Sequence, residues 1–299
     1  MSSRKLQTPA CLLRRVHYCV DNARAHIVNC RDRLTDPRAG SFFRTLIERG
    51  YRPNAHIDVL PQHRLIYVCV PKSASTSVKA LLATLNGRRS VAARKLHNRR
   101  HTGLQTPARI GISSFYRLAT SPDTLRFTFV RNPYARLVSA WADKFQNKPL
   151  VPGDAFIETY LAWRGIVDPS LPAGADATLS FAQFVHFAAA TAERRVDAHW
   201  QLQDDLISMP GIALDFVGRA ERFHTDVERV LDHVGIAAAT RPAVLRHFNA
   251  SKHKPWISYY TSELANCVYR AYERDFDRLG YARAITPAAA VSRLGTRSV

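Results

Sequence analysis

The chain has 299 residues, 46% of them hydrophobic, enough to build one large domain or two small ones around a core and to exclude wholesale disorder. Lys and Arg outnumber Asp and Glu by 43 to 24, a formal charge of +19. Such an excess gathers anions without saying which: nucleic acid, anionic lipid, phosphorylated cofactor and acidic polysaccharide all qualify.

No apolar run reaches the roughly 18 residues of a membrane span, and no signal-peptide pattern opens the sequence. The five cysteines (Cys11, Cys19, Cys30, Cys69, Cys267) are scattered without a CxxC pair. That argues against a zinc site or a disulfide framework and for a reducing compartment.

Residues 1–60 read as a basic N-terminal extension with short helices. One helix is expected over 41–50, burying Phe42, Phe43, Leu46 and Ile47 at helical spacing. Residues 65–70 form a continuous apolar, β-branched run, as in a strand buried on both faces of a parallel sheet. A Pro-Lys-Ser-Ala-Ser turn follows, then a helix over 76–85 closed by Asn86-Gly87. The pattern recurs with a strand at 126–130, a turn at Arg131-Asn132-Pro133, and a helix over 134–145 with proline in its first turn.

Ser180 and Gln183 have capping-box spacing ahead of Phe181, Phe184 and Val185. A third strand is expected at 214–217, and Thr225 with Glu228 would cap a helix running to Gly235. Leu264, Cys267, Val268, Ala271, Tyr272, Phe276 and Leu279 mark one face of a last helix, with Gly280 beyond it. Residues 282–299 read as a frayed tail. Strands alternating with helices imply an α/β domain over 61–281, a central parallel sheet flanked by helices, with ligands at the carboxyl ends of the strands.

Two turns carry chemistry. The loop Pro71-Lys72-Ser73-Ala74-Ser75-Thr76-Ser77 joins a buried strand to a helix start, where backbone N–H groups and hydroxyls can face an anion. Lys72 adds a mobile point charge. GxxxxGK[ST] is absent, so this is no Walker A loop, and a serine-rich helix cap is the plain alternative. In the second turn Arg131 ends a strand, where its planar fork suits a phosphate, and Ser139 lies two turns along the next helix. Arg136 reads as a salt-bridge partner or an exposed helix charge.

Together these segments resemble the 5′-phosphosulfate loop and 3′-phosphate motif of PAPS-dependent sulfotransferases, PAPS being 3′-phosphoadenosine-5′-phosphosulfate. The resemblance is to the carbohydrate branch that includes the HNK-1, chondroitin/dermatan and heparan 2-O enzymes. Asp197-Ala198-His199-Trp200, Asp215-Phe216-Val217-Gly218 with Glu221, His247-Phe248-Asn249-Ala250-Ser251, and Asp275-Phe276 with Gly280-Tyr281 are similar to later landmarks of that branch, in order. The resemblance covers roughly residues 60–281 and implies a P-loop-like sulfotransferase fold.

By position it implies Lys72 at the sulfate and bridging oxygen, Pro71 and Ser73–Ser77 (Ala74 among them) around the 5′-phosphate, and Arg131 with Ser139 on the 3′-phosphate. Ser251, Lys252 and Lys254 resemble a basic loop over the nucleotide. The donor is then PAPS, with no metal, and the acceptor a carbohydrate or other hydroxyl held by segments 88–122 and 148–177. Sulfuryl transfer also needs a base near neutrality. His97, His101 and His199 are the candidates, His97 first, with Glu221 or Asp197 behind them.

A nucleotide kinase would need a Walker A lysine and a magnesium carboxylate; a nucleic-acid-binding protein would need aromatics interleaved with its cations. Neither pattern is present. The charge leaves room for peripheral contact with an anionic membrane or a glycolipid. Animal members of the branch are Golgi proteins with an N-terminal anchor; lacking such a span, the chain is expected to be a cytoplasmic bacterial enzyme.

Overall fold

Alternation of apolar side chains along the central strands decides the layering. A computed structural model describes residues 32, 35–88, 91–150, 155–167, 178–241 and 254–285. Among these, four strands make one sheet in the order β1 (Ile57–Leu60), β2 (Leu65–Val68), β3 (Leu125–Val130), β4 (Phe216–Arg219). β2, β3 and β4 run parallel; β1 lies antiparallel to β2, with Ile57 opposite Val68. The sheet is therefore mostly rather than wholly parallel.

Sequence patterning does not single out β1, because it carries Asp58. That carboxylate is fully buried, met by Arg99 Nε at 2.7 Å and Lys79 Nζ at 3.4 Å. A charge inside a strand reads as a loop until its partners are known. β4 also starts later than expected. Its lead-in residue, Asp215, holds the Arg126 guanidinium through both carboxylate oxygens, at 2.8 and 2.7 Å.

Side chains of one strand point alternately to opposite faces. Ile66 and Val68 thus join one core, and Leu65, Tyr67 and Cys69 the other. The first core is completed by α1 (Pro37–Glu48), α3 (Ile112–Thr120), α4 (Pro133–Lys144), α5 (Ala155–Val167), α6 (Phe181–Thr191) and α9 (Ser262–Leu279), around a fully buried Trp200. The second is completed by α2 (Ser75–Leu85) and α8 (Glu228–His233). A short helix α7 (Gln203–Ile207) precedes β4.

Local signals hold at several ends. Ser180 and Gln183 form the reciprocal capping box of α6. Gly280 closes α9 in the left-handed region at φ 63°. Two expectations need correction. Thr225 lies inside a short helix, Phe223–Asp226, and α8 has no side-chain cap. The carboxylate of Asp226 instead accepts from the Arg219 backbone N–H at the end of β4. On α1, Phe43 and Leu46 are buried as expected, but Ile47 sits at the margin of the stripe and is 49% exposed.

β4 packs tightly on β3. A Cβ built on Gly218 would stand 2.6 Å from the Phe129 ring, so only glycine permits this approach.

Candidate active site

β2 and β3 are adjacent parallel strands, so their following turns open at the same sheet edge. There a cleft of about 1150 Å³ is lined by Pro71, Lys72, Ala74, Ser75, Thr76 and Ser77 on one side and by Arg131, Asn132 and Ser139 on the other. The two sequence motifs therefore face one space. The loop is bent by two residues in the left-handed region, Lys72 at φ 67° and Ala74 at φ 58°. Neither is glycine, and non-glycine residues held there cost of order 1–3 kcal/mol each, a strain typical of ligand clamps.

Lys72 reaches Asp143 on α4 at 3.3 Å, and Lys144 meets the same carboxylate at 3.1 Å. Burial lowers the Lys72 ammonium pKa, and Asp143 opposes the shift. Arg131 donates from Nη1 to the Lys72 carbonyl at 3.3 Å. Burial lowers its pKa too, with Glu221 opposing. Glu221 accepts from the Asn132 backbone N–H at 2.7 Å and from the Tyr281 hydroxyl at 3.1 Å.

Other sequence candidates fall elsewhere. Ser73 is fully buried and turns its hydroxyl inward to Gln203 Oε1 at 3.1 Å, away from the cleft. Ser251 and Lys252 lie outside the described residues. Lys254 is described but does not line the cleft, whereas its neighbour Trp256 does. Segment 88–122 contributes Ala93, Arg94, His97 and Arg99 to the lining; the described part of 148–177 contributes nothing.

Of the three histidines, His97 and His199 line the cleft and the exposed His101 does not. His97 Nε2 lies 3.3 Å from the Thr76 hydroxyl. Burial, then Lys79, Lys144 and Lys72, push its pKa down to about 4. His199 Nδ1 lies 2.6 Å from Asp197 Oδ1, which assigns the ring proton to Nδ1 and leaves Nε2 bare. Burial lowers the His199 pKa as well, and Asp197 works against that shift.

Several site residues escape the sequence reading. His56 lines the cleft, its pKa lowered first by burial and then by Arg52. Asp143 is legible only once the helix pitch is known to turn it toward Lys72. Arg136 is buried rather than exposed, and among the described residues it forms no salt bridge. Its fully buried guanidinium donates to the carbonyls of Pro71 (3.1 Å), Gln201 (2.7 Å) and Ala198 (2.6 Å). Among the described residues no cluster of His, Cys, Asp and Glu could hold a metal ion.

Two strand-to-helix turns at one sheet edge, carrying Lys72 and Arg131, thus line one cleft together with the imidazoles of His97 and His199. The chain belongs to the sulfotransferase family, whose profile matches residues 55–282, and it is a sulfotransferase. It is similar to carbohydrate sulfotransferase 10 of Xenopus laevis, 25% identical over 75% of this chain and 67% of that protein. It is also similar to carbohydrate sulfotransferase 11 of Mus musculus, 26% identical over 84% and 74%. Carbohydrate sulfotransferase 8 of Mus musculus is 33% identical over 66% of this chain and 46% of its own length. No solved structure gives a significant match.

These relatives correct the expected location. They are vertebrate carbohydrate sulfotransferases and lend no support to a cytoplasmic bacterial enzyme. Among the described residues no helix is long and apolar enough to cross a membrane.

Proposed function

We propose that this sulfotransferase takes its sulfuryl group from PAPS and delivers it to a carbohydrate hydroxyl, in a P-loop-like cleft. The observation that carries the donor is the convergence of the 71–77 loop and Arg131 on one cleft, 3.3 Å apart where Arg131 meets the Lys72 carbonyl. Such a pair of anion sites suits a nucleotide with phosphate at both 5′ and 3′ positions. The printed names of the relatives support the acceptor class. The kinase and nucleic-acid readings gain no observation.

PAPS supplies an activated sulfuryl group on its 5′-phosphate. The acceptor oxygen forms a bond to sulfur as the bond from sulfur to the bridging phosphate oxygen breaks, and the electron pair stays on the phosphate. Lys72, within the loop, meets that developing charge; fixed charges of this kind dominate catalysis where little covalent help is needed. Ala74–Ser77 hold the 5′-phosphate, and Arg131 with Ser139 the 3′-phosphate.

The acceptor proton passes to Nε2 of His199, with Asp197 fixing the tautomer and stabilising the imidazolium that forms. His199 precedes His97 in this role because, among the described residues, His97 meets no carboxylate, and its low pKa makes it the weaker base. The products are a sulfate ester, 3′-phosphoadenosine 5′-phosphate and a proton on the imidazole.

The test is transfer of radiolabelled sulfate from PAPS to a panel of glycans, with hydroxysteroids and phenols as controls. Label in a glycan, lost on Arg131→Ala, supports the reading. Label only in the small-molecule controls overturns the acceptor class. Tight binding of adenosine 5′-phosphosulfate with none of 3′-phosphoadenosine 5′-phosphate overturns the donor.

A further inference from the structure

Between the two phosphate-facing turns lies one side chain that neither motif contains. Gln203, the first residue of α7, is fully buried. Its Oε1 accepts from the Ser73 hydroxyl at 3.1 Å and from the Arg131 backbone N–H at 2.9 Å. Its Nε2 donates to the Arg131 carbonyl at 2.7 Å. A single amide thus joins the 71–77 loop to the main chain of Arg131 on both sides of that residue.

The amide is itself held from behind. Asp275 on α9 accepts from the backbone N–H groups of Gln203 and Asp204, each at 2.9 Å, and lies 3.4 Å from Gln203 Nε2. Asp275 is fully buried, so this support is shielded from bulk solvent. Every hydrogen-bonding direction of the Gln203 amide is therefore assigned. A group locked at both ends and bonded to two separate turns fixes the distance between them.

We propose that Gln203 is a positioning residue that sets the spacing of the two anion-binding turns and thereby makes the cleft selective for a nucleotide carrying both a 5′- and a 3′-phosphate. This rests on the donor reading above. Gln203 touches neither phosphate; it acts through Ser73 and Arg131. A ligand that uses only the 5′ turn is indifferent to the spacing, whereas one that bridges both turns loses contact at one end when the spacing drifts.

The experiment measures binding of 3′-phosphoadenosine 5′-phosphate and of adenosine 5′-monophosphate to the full chain and to Gln203→Met by titration calorimetry. The parent should prefer the bisphosphate. In Gln203→Met, which keeps length but makes none of the amide bonds, that preference should fall about 10-fold, about 1.4 kcal/mol, with monophosphate affinity within about 3-fold. Should the Met variant not fold, Gln203→Glu makes the same measurement: it keeps the shape, loses the Nε2 donations and faces Asp275 with a second carboxylate.

Equal loss for both nucleotides assigns Gln203 to the fold alone and overturns the proposal, as does an unchanged preference. A parent that binds the two nucleotides alike overturns the donor reading, and the proposal with it.

Discussion

Arg136 offers the sharpest test of how the site is built, because among the described residues its buried guanidinium is bonded only to carbonyl oxygens. Two effects compete in Arg136→Met, which keeps the side chain long and removes its donors. Taking a charge out of a buried place relieves its desolvation, and buried ion clusters replaced by apolar residues can become more stable by about 1–4 kcal/mol. Against this stand the lost bonds to Pro71, Gln201 and Ala198, at 3.1, 2.7 and 2.6 Å. Hydrogen bonds from a charged donor contribute about 1.5–3 kcal/mol each, and a buried acceptor left bare costs about 1–3.

With three charge-assisted bonds lost and the Gln201 carbonyl left bare in a buried place, the second effect wins, for a net loss of about 3 kcal/mol. For a chain of 299 residues, at about 2.1 cal/mol/K of unfolding entropy per residue, that lowers the melting temperature by about 5 °C. The assay is urea and thermal unfolding of parent, Arg136→Met and Arg136→Lys, the lysine keeping the charge but reaching only one or two carbonyls. Lysine should fall between the others. A methionine variant as stable as the parent would refute the reasoning and mean that desolvation of the guanidinium outweighs its bonds.

Other outcomes follow from the cleft. Lys72→Ala should lower turnover by ~10²–10³ with the fold intact, since one electrostatic contact to the leaving group is removed; an unchanged turnover removes Lys72 from the chemistry. Arg131→Ala should weaken 3′-phosphoadenosine 5′-phosphate by about 2–5 kcal/mol while sparing adenosine 5′-phosphosulfate, and equal losses in calorimetry assign Arg131 to the fold. Because burial lowers the His199 pKa, turnover should climb with pH through a limb below the ordinary histidine value of ~6.5. Asp197 opposes that shift, so Asp197→Asn should move the limb to still lower pH, and His199→Ala should erase it. A pH–rate profile in which His97→Ala erases the limb and His199→Ala does not would make His97 the base.

Much of the site was legible where its determinants are local. A buried β-branched run, a serine-rich turn and a capped helix are neighbours in sequence, so 65–85 and 126–145 could be read as strand, turn and helix, with Lys72 and Arg131 at the turns. The capping box of Ser180 and Gln183 and the glycine end of α9 are decided within a few residues of chain, and both stand as read. The resemblance to sulfotransferases rests on those two turns together with the ordered landmarks from Asp197 to Tyr281.

Tertiary structure decided everything that depends on a partner far away in the chain. Asp58 makes a strand only because Lys79 and Arg99 arrive to neutralise it. Arg136 is a buried clamp only because three carbonyls from two distant segments converge on it. Ser73 belongs to the phosphate motif by sequence, yet 130 positions on stands the amide that turns its hydroxyl inward. His97 and His101 are alike as sequence, and only folding puts one in the cleft and leaves the other outside it. Backbone propensity and capping act over a turn or two of chain, so sequence determines them. The burial of a charge, the choice of its partner and the resulting pKa are set by which surfaces meet, and these exist only once the sheet and its helices have packed.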